Sequence, residues 1–265
     1  MDRITSTANQ QVKNLLQLNK KAKLRNARDV FVAEGIKMFR EAPKERIVKV
    51  YVAGSLWEKP GTEEMLENVP FEVVEDSVFR VMSDTQTPQG VLCILRQYHY
   101  KLEELLKPGE GPGSRKPLFL VLENLQDPGN LGTILRTAEG AGVTGVILSR
   151  ESVDIYNPKT IRSTMGSVYR VPFLYVEDLK ETLKKLKIYG VKSYAACLGG
   201  TALYDGVSYK EGAAFLIGNE SKGLSRELAG LADVCISIPM EGKLESLNAA
   251  VAAAILMYEA YRQRR

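Results

Sequence analysis

The stretch Ile236-Ser-Ile-Pro-Met-Glu-Gly242, running on into Leu244-Glu-Ser-Leu-Asn248, decides the reading of this chain. An apolar, strand-like run ends there, a glycine permits a tight path, and a serine and an asparagine stand where a long terminal helix begins. Two earlier segments share the layout. Asn130-Leu-Gly-Thr-Ile-Leu-Arg136 comes after the apolar run Leu118-Phe-Leu-Val-Leu122, and Ile217-Gly-Asn-Glu-Ser-Lys-Gly223 closes another such run. Each segment sets polar groups where a strand ends, which is where open α/β sheets bind ligands.

Working outward, residues 118–265 alternate regularly. Strands are predicted at 118–122, 145–148, 171–176, 191–197, 213–217 and 234–238, with helices near 131–141, 157–165, 179–186 and 247–261. Short apolar strands alternating with helices predict a mostly parallel sheet covered on both faces. Residues 108–117 hold three glycines and three prolines, a composition that suits neither a packed helix nor a central strand. They read as a linker rather than a surface loop, because a buried strand restarts immediately afterwards. Residues 1–107 place Val12, Leu15, Leu16 and Leu18 near one helical face, then predict strands at 30–33, 47–53, 71–74 and 90–95. The expected organisation is a small α/β domain over 1–107, a linker over 108–117 and a larger α/β domain over 118–265.

Composition removes several classes of function. Cys93, Cys197 and Cys235 lie in or beside apolar runs and offer no disulfide framework, which predicts buried packing in a reducing compartment. His99 is the only histidine, so neither a histidine-based triad nor a multi-histidine metal site is expected. No apolar run approaches the roughly 20 residues that span a bilayer, and the start lacks a secretory pattern; a soluble cytoplasmic protein is the expectation. The net charge of +4 is unevenly spread, with 12 Lys/Arg against 5 Asp/Glu in residues 1–49. Lys20, Lys21, Lys23, Arg25 and Arg28 are the candidate phosphate contacts for RNA. Charge alone does not separate such a surface from an ordinary solvated helix face.

On its three motifs, in this order, the C-terminal region resembles the SpoU-TrmH family of S-adenosylmethionine-dependent RNA 2'-O-methyltransferases. Ile4-Thr-Ser-Thr-Ala-Asn-Gln-Gln-Val-Lys13 with Phe31-Val-Ala-Glu-Gly35 resembles the L30e-like substrate-binding domain often fused to it. The resemblance implies a SPOUT α/β domain with a parallel sheet, a C-terminal deep trefoil knot and a homodimer packed through terminal helices. It implies RNA as substrate, 23S ribosomal RNA ahead of transfer RNA, and methyl transfer to a ribose 2'-hydroxyl without a metal. It assigns Asn130, Arg136, Glu220, Ser246 and Asn248 to the catalytic network. Gly218, Ile238 and Leu247 fall around the cofactor with Met240 nearby, and Ala195-Ala196 followed by Gly199-Gly200 resembles a small-residue loop beside the adenosine. Ala249-Ala250 stands where the family often has a valine–serine pair.

Plainer roles stand beside these. Asn130, Ser246 or Asn248 could cap helices, Arg136 could be solvated, and Glu220 could pair with Lys222 or Arg226. The very high pKa of an arginine favours positioning and activation by Arg136 over direct base catalysis. Two other functions are open to such a chain. A nicotinamide-dependent enzyme would need a G-x-G-x-x-G after the first strand of the larger domain, and none is there. A non-catalytic RNA-binding or ribosome-assembly protein would use the basic N-terminal region equally well.

Overall fold

The computed structural model describes residues 3–107 and 115–265, so the linker read at 108–117 lies outside the described residues up to position 114. Two compact units form, Met1–Tyr98 with Asp154–Tyr169, and His99–Val153 with Arg170–Arg265.

In the first unit the helix α1 (Gln10–Lys20) starts at Asn9, whose side chain accepts from the Gln11 N–H at 2.8 Å. Its buried residues Val12, Leu15 and Leu18 recur every third position and so share one face. The helix α2 (Ala22–Arg28) follows, and the strands β1 (Arg3–Ile4), β2 (Val30–Glu34), β3 (Ile47–Ala53), β4 (Phe71–Val74) and β5 (Val91–Arg96) form one sheet. Its order is β1-β4-β3-β5-β2, parallel on the β1 side and antiparallel where β5 meets β3 and β2. Short helices fill the connections: α3 (Ile36–Glu41), α4 (Gly54–Trp57), α5 (Thr62–Met65) and α6 (Asp76–Met82). Leu15, Leu18, Phe79, Met82 and Leu92 make up part of the core. The strand β1 has only two residues, too few for a periodic signal in the sequence.

The second unit adds α7 (Leu102–Leu105), β6 (Leu118–Leu122), α8 (Pro128–Ala141) and β7 (Gly145–Ser149). After α9 (Pro158–Thr164), which clusters with the first unit, come β8 (Phe173–Val176), α10 (Leu179–Ile188), β9 (Lys192–Ala196) and β10 (Ala202–Leu203). The chain ends through β11 (Ala213–Ile217), α11 (Arg226–Leu231), β12 (Val234–Ser237) and α12 (Ala249–Arg264). The sheet runs β10-β12-β9-β11-β6-β7-β8 with every pairing parallel. All five residues of β6 and all five of β11 are buried, as strands covered on both faces must be.

The compact units depart from the domain boundaries read in the sequence at two places. Leu102 and Leu106 fall in the core of the second unit with Phe119, Val121 and Leu186. Residues 154–169 fall in the first unit, because Tyr156 stacks on Phe31 at 4.7 Å and the Tyr169 hydroxyl donates to the Met38 carbonyl at 3.1 Å. The three cysteines are free thiols; Cys93 is buried, while Cys197 and Cys235 are half-buried. Burial and the neighbouring Cys235 push the Cys197 thiol up to about 11, so it stays protonated at neutral pH. Among the described residues no helix is long and apolar enough to cross a membrane, and no group of acidic, cysteine or histidine side chains could hold a metal ion.

Candidate active site

Four strands adjacent in the sheet, β12, β9, β11 and β6, run parallel, so their C-terminal ends lie along one edge. The segments that leave those ends carry most of the residues singled out in the sequence. After β6, Asp127 caps α8 by accepting from the Asn130 N–H at 2.7 Å, and Pro128 occupies the first turn. Asn130 is therefore not the cap. It sits inside the first turn, its own N–H already satisfied and its side chain left for other work.

That side chain joins the three motifs. The Glu220 carboxylate, just past β11, accepts from Asn130 Nδ2 at 3.0 Å, from the Asp127 N–H at 2.8 Å and from the Gln126 N–H at 3.0 Å. Asn130 Oδ1 in turn accepts from Asn248 Nδ2 at 3.0 Å. Asn248 is also the cap of α12, its Oδ1 accepting from the N–H groups of Ala250 and Val251. A carboxylate can only accept, so it fixes which way the Asn130 amide points, and that fixes the Asn248 amide. Capping and networking are the two ends of one side chain. Burial alone would raise the Glu220 carboxyl, but the hydrogen bonds from Asn130, Asp127 and Gln126 outweigh it and hold the group below its ordinary value.

Two other members of the expected catalytic set stay apart. Ser246 is exposed and makes no hydrogen bond among the described residues. Arg136 lies six residues beyond Asn130 on α8, exposed, with no ion-pair or hydrogen-bond partner among the described residues.

The residues expected around a cofactor cluster in sequence around the same strand ends. Ala196 ends β9, Gly199 lies just beyond, Gly218 follows β11, and Ile238 and Met240 follow β12; Leu247 precedes α12. Ala196, Gly218, Ile238, Met240 and Leu247 are half-buried and Gly199 is exposed. A Cβ added at Gly218 would lie 2.1 Å from the backbone of Gly223, across the turn that pairs Asn219 with Gly223. At Gly200 it would lie 2.6 Å from the Ile236 backbone. Gly200, not its neighbour Gly199, is thus the position that lets the loop after β9 lie against β12. The sequence places Gly200 in the small-residue loop but carries no sign of this close approach; the sequence reading passes over Asp127, although the Asp-Pro pair is a recognisable helix start.

Of the candidate RNA contacts, Lys20, Lys21, Lys23 and Arg28 are exposed, but Arg25 is not. It is 3% exposed, donates to the carbonyls of Leu18 and Asn19 and pairs with Asp154. Arg25 is corrected to a buried structural residue: its guanidinium is spent on closing α1 and α2 against residue 154.

The sequence and fold can be set beside known proteins. The SpoU rRNA Methylase family matches residues 117–258 and the MRM3-like substrate binding domain matches residues 9–93. The chain is 34% identical over 259 residues to the 23S rRNA (guanosine(2553)-2'-O)-methyltransferase RlmP of Bacillus subtilis (strain 168), covering 97% of this chain and 98% of that protein. An AdoMet-bound rRNA methyltransferase from Sinorhizobium meliloti superposes with a TM-score of 0.86 at 31% identity, over 98% of this chain and 97% of that one. The SpoU methyltransferase AviRb from Streptomyces viridochromogenes, in complex with AdoMet, gives 0.84 at 25% identity, over 96% and 98%. With matching sequence along nearly its whole length and the same fold, the chain belongs to the SpoU rRNA methylase family.

Proposed function

We propose that this protein transfers the methyl group of S-adenosylmethionine to a ribose 2'-hydroxyl of RNA, with 23S ribosomal RNA as the substrate. The observation that carries the reading is the continuous hydrogen-bond chain from Glu220 through Asn130 to Asn248, which joins three distant motifs at one edge of a parallel sheet. The relation to RlmP over the whole chain supports the choice of substrate.

The residues present suit the cofactor. Close backbone approaches at Gly218 and Gly200 leave loops with small side chains and open backbone groups at the ends of neighbouring strands. Ala196, Gly199, Gly218, Ile238, Met240 and Leu247 would hold it, and when bound it supplies an electrophilic methyl group. Glu220, Asn130 and Asn248 act by preorganisation, since their orientations are set before substrate arrives. Arg136 presents an unpaired guanidinium suited to a phosphate or ribose oxygen.

The protein would work in the cytoplasm as a homodimer. Val251, Tyr258 and Tyr261 leave an apolar strip of α12 exposed, at 48%, 49% and 40%, which supports packing of α12 on a second copy. The deciding experiment is ribose-methylation mapping of cells with and without the protein, paired with transfer of labelled methyl to total RNA. Loss of one 23S ribosomal mark is expected. A lost transfer-RNA mark would reject the substrate but not the chemistry, and no transfer at all would favour a non-catalytic RNA-binding role.

A further inference from the structure

The first unit carries an open groove of about 740 Å³ that none of the motifs predicted. Its charged lining comes from three separate segments: Lys37, Arg40 and Glu41 on α3, Lys59 after α4, and Asp76 and Arg80 on α6. Four cations therefore face two carboxylates.

The carboxylates do little to balance them. Glu41 lies 3.7 Å from Lys37. Asp76 accepts the N–H and the hydroxyl of Ser55, at 3.0 and 2.9 Å, and so ties α4 to α6. Arg40, Lys59 and Arg80 are exposed and have no ion-pair or hydrogen-bond partner among the described residues. Like charges drawn from three segments around one concavity repel each other in the free protein, and the concave walls focus their field. Such a surface favours a polyanion.

The second unit provides an internal control. A depression of about 750 Å³ there is lined by Asp178, Lys180, Glu181, Lys184, Arg226 and Glu227, three charges of each sign. Lys180 there pairs with Glu227 at 2.6 Å. Open grooves on this protein are not cation-rich by default. Lys20, Lys21 and Lys23, by contrast, follow one another along α1, the junction and α2, and Arg25 beside them is buried in an ion pair.

We infer that the groove of Arg40, Lys59 and Arg80 binds the sugar–phosphate backbone of the RNA substrate, and that it is the main phosphate-binding surface of the first unit. The inference rests on the proposed RNA methyl transfer and adds the place where that RNA is held. An extended backbone with a charge at each nucleotide matches several unpaired cations spread over one groove better than a single small anion does.

The test compares three forms of the full-length protein with the wild type. These are Arg40→Gln/Lys59→Gln/Arg80→Gln, the charge-preserving Arg40→Lys/Arg80→Lys, and Lys20→Gln/Lys21→Gln/Lys23→Gln. Affinity for a fluorescent fragment of 23S ribosomal RNA is measured across a salt titration, together with S-adenosylmethionine affinity and thermal unfolding. The groove triple is expected to lose about tenfold or more in RNA affinity at moderate salt. The slope of log affinity against log salt should flatten by about 2, at about 0.7 for each single-strand phosphate contact. Cofactor affinity and unfolding should stay unchanged, the charge-preserving form should bind within about threefold of wild type, and the α1–α2 triple should lose less than the groove triple. Wild-type affinity and slope in the groove triple, while the wild type binds and methylates RNA, would overturn the inference and leave the function standing. An equal loss in the charge-preserving form would overturn it too, as a packing effect. A wild type that neither binds nor methylates RNA would remove both readings together.

Discussion

Two polar clusters, one in each unit, use their side chains in opposite ways. In the second, side chains at the ends of parallel strands satisfy one another: Glu220 accepts three donors, Asn130 both donates and accepts, and Asn248 closes the chain while capping α12. In the first, Arg40, Lys59 and Arg80 remain exposed and unpaired around a groove. Saturated hydrogen bonds fix geometry, which chemistry requires; unsatisfied charges keep a long-range field, which capture requires. The buried pair Arg25–Asp154 shows the third use, a cation committed entirely to the fold.

Removing Glu220 should break the comparison most sharply. Glu220→Ala takes away the acceptor that orients Asn130, and methyl transfer is expected to fall by about 100-fold or more, the scale of losing one preorganised polar group. Single-turnover kinetics with thermal unfolding separates lost orientation from lost stability; near-normal turnover by a folded variant would show the network to be structural only. Arg136→Ala should cost a similar order, about 100-fold, with S-adenosylmethionine affinity within about twofold of wild type. Cofactor binding that falls in step with the rate would move Arg136 to the cofactor side.

Asp154→Ala should act on stability rather than chemistry. It leaves a nearly buried guanidinium without its carboxylate, at a cost of about 3 kcal/mol because Asp154 is itself one quarter exposed. Denaturant unfolding reads that loss, and an unchanged midpoint would mean Arg25 is held by the Leu18 and Asn19 carbonyls alone. A smaller effect is expected from neutralising Lys20, Lys21 and Lys23: RNA affinity a few-fold weaker, with a shallower salt dependence. Unchanged binding across the titration would return them to solvated surface.

The smallest effect at neutral pH concerns the protonation of Glu220. Its folded pKa is depressed, so the network's contribution is complete above the ordinary glutamate value near about 4.3. That contribution is lost as pH falls through the lower folded value. Stability of wild type relative to Glu220→Gln should thus be flat above about pH 5 and narrow only in stronger acid. A difference that changed between pH 6 and 8 would assign the titration to another group.

The sequence by itself determined the elements that depend on near neighbours. Leu118–Leu122 and Ala213–Ile217 are unbroken apolar runs, the pattern of central strands in a covered parallel sheet. Val12, Leu15 and Leu18 fix the buried face of α1 in the same local way. The motif positions Asn130, Glu220 and Asn248 were also legible, because their patterns are intact in the chain. Only the tertiary structure decided how far-apart groups are matched. The Asn130 amide is oriented by Glu220, 90 positions away, and Arg25 reads as a surface cation although Asp154, 129 positions away, lies beside it. Gly200 gained its meaning from the backbone of Ile236, and residues 154–169 left the unit to which chain order assigned them. Apolar periodicity records what a residue does to its own element. Charge pairing, amide orientation and backbone approach are set by partners that no local window contains.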